Sequence, residues 1–114
     1  MTQYERVANL GDLWPGEKVG LSVRGKGVML ANIDGEVVAY ENRCPHLGLP
    51  LSEGSMHGSR LICRGHLWEY DLMDGIGINP ASVRLLSLPV LVERDMILVD
   101  VDGLEEATRS GDHE

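Results

Sequence analysis

Phenylalanine is absent from this chain of 114 residues, and Tyr4, Trp14, Tyr40, Trp68 and Tyr70 are its only aromatic residues. Five rings are too few for a base-stacking platform that holds single-stranded nucleic acid. Basic residues are scarce as well. Ten Lys and Arg stand against eighteen Asp and Glu, a net charge of −8 at pH 7, whereas a phosphate-binding face needs clustered cations. With only two cysteines, the disulfide framework of a small secreted scaffold is excluded. No apolar run is long enough to span a bilayer; the longest, Leu85 to Val92, is interrupted by Ser87 and Pro89. The opening residues Met1 to Arg6 lack the basic and apolar regions of a signal peptide, and no Asn-x-Ser/Thr sequon occurs. These absences predict a soluble, cytoplasmic protein with one modest core; a monomer is expected. In that compartment thiols stay reduced, and neighbouring Cys and His point to a metal before a disulfide.

A helical period is missing too: no window of eleven or more residues carries one, and the one weak helix candidate is the turn at Gly11 to Trp14. Glycine, by contrast, is abundant at fourteen. Gly and Asp-Gly marks at Gly25, Asp34-Gly35, Asp74-Gly75 and Asp102-Gly103 separate short runs of Val, Ile and Leu. In Lys18 to Arg24, Val19, Leu21 and Val23 share one face. Val28–Ile33 and Glu36–Tyr40 predict a hairpin about Asp34-Gly35; Leu86–Val92 and Met96–Val101 predict another about Glu93-Arg94-Asp95. The pattern is all-β, a small antiparallel sandwich or barrel. Residues 1–103 are expected as a single domain. Residues 104–114, with Glu105, Glu106, Asp112 and Glu114 against Arg109, are expected as an acidic flexible tail. Two stretches, Asn42–Gly58 and Arg64–Val83, break the strand pattern and read as long loops, which in a compact domain usually carry function.

Both cysteines fall at those stretches, each followed closely by a histidine. Cys44-Pro45-His46-Leu47-Gly48 and Cys63-Arg64-Gly65-His66-Leu67-Trp68 give Cys-x-His, sixteen intervening residues, then Cys-x-x-His. Such short spacings let one loop present a thiolate and an imidazole to one centre. A nucleophilic Cys-His pair would leave one whole unit unexplained. Zinc is the serious rival, since two Cys and two His close a tetrahedral site. Zinc fingers, however, usually group Cys with Cys and His with His, and the His-x-Glu and Cys-x-x-Cys of zinc deaminases are lacking. A [2Fe–2S] centre with two His in place of two Cys on one iron accounts for the residue count directly.

At this point the pattern resembles that of the Rieske ferredoxins. The resemblance implies one [2Fe–2S] cluster, with Cys44 and Cys63 on the inner iron and His46 and His66 on the outer one. It also implies a β-sandwich base carrying a small cluster-binding subdomain, about residues 42–83, formed by two loops. Leu51-Ser52-Glu53-Gly54-Ser55, Leu67-Trp68 after the second histidine, and Gly75-Ile76-Gly77-Ile78-Asn79-Pro80 look like the ferredoxin component of toluene- and alkene-type diiron monooxygenases. Ferredoxins of ring-hydroxylating dioxygenases more often carry Gly-Trp there and are the alternative. The resemblance implies a non-catalytic one-electron carrier between an NAD(P)H-dependent flavin reductase and a diiron hydroxylase or dioxygenase terminal component. A zinc-binding interaction module and a nitrite-reductase small subunit remain as further readings; colour and co-purification separate them.

Around the four ligands, Leu47, Leu49, Pro50 and Leu67 would form an apolar rim suited to a transient contact. Arg43, Arg60 and Arg64 against Glu53 make residues 43–66 net +2 within an acidic chain. Trp68 reads as a packed aromatic before a docking residue, Tyr70 as a donor toward the cluster, and Pro80 as a stiffener of the covering loop. His57 and His113 read as exposed bystanders. Two ferric ions, two sulfides and two thiolates leave an oxidised cluster roughly neutral, which raises its potential above that of a four-Cys centre. The chain lacks the extra cysteine pair of the high-potential Rieske proteins, and Trp68 stands where they place a serine donor. Both features predict the low end of the Rieske range.

Overall fold

The computed structural model describes residues 4–43, 50–63, 68–79 and 84–101. In chain order the strands are β1 (Tyr4–Asn9), β2 (Lys18–Val23), β3 (Lys26–Ile33), β4 (Glu36–Glu41), β5 (Ser55–His57), β6 (Arg60–Ile62), β7 (Glu69–Asp71), β8 (Ile76–Asn79), β9 (Ser87–Leu88), β10 (Val90–Glu93) and β11 (Met96–Asp100). Short 3₁₀ turns occupy Leu10–Asp12 and Leu51–Glu53. No α-helix occurs among the described residues.

Turn chemistry sets the pairing. Arg24-Gly25, Asp34-Gly35 and Arg94-Asp95 have positive φ at both positions, the geometry whose twist matches flanking antiparallel strands. They join β2 to β3, β3 to β4 and β10 to β11 in unbroken register. Three antiparallel sheets result, in the orders β1-β11-β10, β2-β3-β4-β9 and β5-β6-β7-β8. The first two form the base, and the third is the subdomain.

β3 is buried on both faces, and its alternation serves two cores. Val28 and Leu30 meet Leu13, Ile97, Val99 and Val101 in the base. Met29 and Ala31, pointing the other way, meet Tyr40, Leu51, Leu61, Tyr70 and Leu72 under the third sheet. The buried Asn32 is satisfied: its Nδ2 donates to the Leu13 carbonyl at 2.8 Å and its Oδ1 accepts from the Gly35 amide at 2.8 Å. Subdomain and base are also bolted by Tyr40, whose hydroxyl donates to the Leu72 carbonyl at 2.5 Å.

Two expectations need correction. Leu86–Val92 is not one strand: Pro89 has no N–H to donate, and the chain switches sheets there. β9 pairs with β4, while β10 pairs with β11. The turn is also tighter, because Glu93 pairs with Met96. The two supposed loops are not wholly loops either, since their described parts contain most of a four-stranded sheet. Three of its strands have only three residues each, too few for an alternation to show. Both ends of this insertion meet, with the Glu41 amide donating to the Leu86 carbonyl at 2.9 Å. The expected tail, 104–114, lies outside the described residues.

Candidate metal centre

The segment carrying Cys44 and His46 begins where β4 ends. There the Asn42 amide donates to the Gly27 carbonyl at 3.0 Å, continuing the sheet by one step. The Asn42 side chain then reaches across to Ser52: its Oδ1 accepts from the Ser52 amide at 2.9 Å and its Nδ2 donates to Ser52 Oγ at 3.0 Å. Just beyond, Gly54 lies against the end of β6 so closely that a Cβ there would overlap the Ile62 carbonyl oxygen. The exit of the first segment is therefore pressed onto the strand that leads into Cys63.

Cys63 itself is a fully buried thiol, packed in the core cluster that holds Leu51, Leu61, Tyr70 and Leu72. Its amide donates to the Trp68 carbonyl at 2.7 Å, one step past the Ile62–Glu69 ladder pair. The two ends of the segment containing His66 are thus joined. A register shift between Glu69 and Tyr70 leaves Ile78 as the extra residue of β8; such bulges recur beside functional sites. A buried sulfur at the mouth of a short closed segment is a fitting ligand for an iron–sulfur centre, which thiolates hold.

Of the remaining expected residues, Trp68 is half-buried and packs on the core under the third sheet, and Tyr70 is fully buried there. His57 is exposed, as expected, and Pro50 is half-buried. Cys44, His46, Leu47, Leu49, Arg64, His66, Leu67, Pro80 and His113 lie outside the described residues. Within the +2 of residues 43–66, Arg60 faces Glu69, which lies outside that stretch, at 3.4 Å. Sequence reasoning gave no structural role to the positions that set the geometry here: it passed over Asn42, and it quoted Ser52 and Gly54 only as part of a family-like motif. Asn and Ser favour side-chain bonds to nearby backbone, but a partner ten residues away gives no local signal.

Tyr40 is pushed up to about 12, first by burial and then by the negative charges of Asp74 and Asp71, so at neutral pH its hydroxyl stays a donor to Leu72. An open groove of about 650 Å³ lies between Asp34 and Glu36 on one side and Gly58, Ser59 and Met73 on the other. It sits at the far ends of the β3–β4 and β5–β6 hairpins, away from Cys63.

Comparisons with known proteins agree with this arrangement. The Rieske [2Fe-2S] domain matches residues 3–89. The ferredoxin component of the alkene monooxygenase system of Xanthobacter autotrophicus is 37% identical over 103 residues, covering 90% of this chain and 84% of that one. The ferredoxin component of the naphthalene 1,2-dioxygenase system of Pseudomonas putida is 30% identical over 98 residues, 85% of this chain and 93% of its own. Among solved structures, the ferredoxin of carbazole 1,9a-dioxygenase from Nocardioides aromaticivorans superposes with a TM-score of 0.79 at 29% identity, covering 87% of this chain and 98% of that one. These matches set the zinc reading aside. The chain belongs to the Rieske [2Fe-2S] domain family, and it is an electron carrier with one [2Fe–2S] cluster rather than an enzyme.

Proposed function

We propose that this chain carries single electrons from an NAD(P)H-dependent flavin reductase to the hydroxylase of a multicomponent diiron monooxygenase, acting as a cytoplasmic monomer. In this reading Cys44 and Cys63 hold the inner iron, and His46 and His66 the outer one. The observation that carries it is the joining of the two motif segments: Asn42 to Ser52, Gly54 against Ile62, and Cys63 to Trp68. When bound, the cluster supplies a one-electron couple. The chain's own residues do the rest. Cys63 would enter from the buried core; the segment ends, tied by the Asn42 side chain to Ser52 and by the Cys63 amide to Trp68, would hold the ligands in place; Trp68 and Tyr70 pack in the same core as Cys63. Among the described residues no helix is long and apolar enough to cross a membrane.

The 37% identity to an alkene monooxygenase ferredoxin favours the monooxygenase partner. The 30% identity to a naphthalene dioxygenase ferredoxin supports the ring-hydroxylating system as the second reading. NADH-driven turnover with a purified reductase, and with either an alkene diiron hydroxylase or a naphthalene dioxygenase oxygenase, decides between them. Turnover with the diiron hydroxylase alone supports the first reading, and turnover with the dioxygenase alone overturns it. Iron, acid-labile sulfide and EPR spectra of His46→Ala and His66→Ala test the ligands; an intact Rieske signal in either variant refutes the assignment.

A further inference from the structure

We propose that Asn42 is a positioning residue for the cluster: its carboxamide, latched to Ser52 in both directions, fixes the span across which residues 43–51 present Cys44 and His46. The inference rests on the ligand assignment above.

The latch is built into the base. The Asn42 amide is tied to Gly27 of β3, and Lys18 of β2 donates from Nζ to the Ser52 carbonyl at 2.5 Å. The pair sits on a floor left open by Gly20: a Cβ there would lie 2.6 Å from Ser52 Oγ and 2.8 Å from Asn42 Nδ2. Three consecutive strands, β2, β3 and β4, therefore converge on one side-chain pair. A chain segment with unpinned ends samples many closed forms, and pinning them removes that freedom. Only two cysteines occur in the chain, and both are assigned to iron, so no disulfide is left to staple this segment. The carboxamide and hydroxyl pair takes that role with hydrogen bonds.

Without the latch, Asn42 and Ser52 sample a range of separations, and the surroundings of each molecule's cluster would differ slightly. The readouts are the width of the reduced cluster's EPR lines and the rate of iron loss to bathophenanthroline, measured on purified holoprotein. Asn42→Ala is expected to broaden the lines and to speed iron loss about ten- to a hundred-fold, the effect of the two lost hydrogen bonds. Ser52→Ala keeps the bond from its amide to Oδ1 and is expected to fall between. Asn42→Asp, whose carboxylate accepts from both the Ser52 amide and hydroxyl, is expected to restore narrow lines and slow loss. Leu13→Ala, in the base core, controls for global destabilisation and is expected to leave line width unchanged.

Wild-type line width and loss rate in Asn42→Ala overturn the proposal, as does equal broadening in Leu13→Ala. If Asn42→Ala fails to accumulate as holoprotein, Ser52→Ala decides: broader lines support the latch and unchanged lines refute it. Failure of the ligand assignment shows up separately, as a wild-type protein without a Rieske signal or a His46→Ala variant that keeps one.

Discussion

The amide of Cys63 donates to the carbonyl of Trp68 at 2.7 Å, extending the β6–β7 ladder one step past Ile62 and Glu69. The bond joins main-chain atoms, so the Trp68 ring can be replaced without breaking it. What the ring supplies is packing on the core under the third sheet. Trp68→Ala is expected to cost about 2 kcal/mol, less than the roughly 3–5 of a fully buried ring, while the iron content stays near wild type. Urea midpoints check this; an unchanged midpoint would make Trp68 a surface residue.

Tyr40 predicts an alkaline signature. Its pKa is raised from 10.0 in the unfolded chain to about 12 in the fold. The sign follows from proton counting: between those values the unfolded chain has lost a proton that the fold still holds. Stability is therefore intact below pH 10 and falls as pH rises toward 12. Two units correspond to roughly 3 kcal/mol at about 1.36 per unit. Tyr40→Phe should be about 1–3 kcal/mol less stable at pH 7, with the Leu72 carbonyl left unpaired. The gap should close between pH 10 and 12, and a pH series of denaturant midpoints for both proteins measures it.

Gly54 is required by contact, not by dihedral angle. Its φ of −76° suits any residue, but a Cβ would overlap the Ile62 carbonyl oxygen. Gly54→Ala is expected to lose about 2–3 kcal/mol through overpacking and to lower iron content, because the displaced strand end carries Cys63. Thermal unfolding together with an iron assay reads both effects.

One substitution should stabilise. Asp95 sits at φ 63° in the β10–β11 turn, a region in which side chains are strained by about 1–2 kcal/mol and glycine is not. Asp95→Gly is expected to gain about 1 kcal/mol in a urea titration. The bond from the Leu10 amide to the Asp95 carbonyl, at 2.8 Å, uses only main chain and survives.

The midpoint potential should lie near the low limit of the mixed His/Cys range, about −150 mV. Trp68 brings no hydroxyl to the place where high-potential members of the family have serine. A redox titration that returned a strongly positive midpoint would refute this.

The parts of this molecule legible in its sequence are those encoded locally. Asp34-Gly35 announces its hairpin because the turn demands positive φ from those two residues. The Cys-x-His and Cys-x-x-His units are legible because few chemistries use that mixture. The third sheet was hidden because Ser55–His57, Arg60–Ile62 and Glu69–Asp71 are each too short for a period. The split at Pro89 was hidden because apolar residues continue on both sides of it. The pairing of Asn42 with Ser52 gave no sign, although Ser52 stands in a family-like motif, since their bond exists only after β2, β3 and β4 have assembled beneath them.

The meeting of Glu41 and Leu86 has a bearing on engineering. A stretch that departs from a sheet and rejoins it at hydrogen-bonded neighbours has the connectivity of a cassette, removable with a short turn in its place. Energetically it is the opposite of a cassette. Met29, Ala31 and Tyr40 of the host sheet are buried in the core beneath it, so excision would strip the scaffold to a greasy, self-associating face. Transplanted elsewhere, the redox cassette would need a recipient hairpin that already presents such a face.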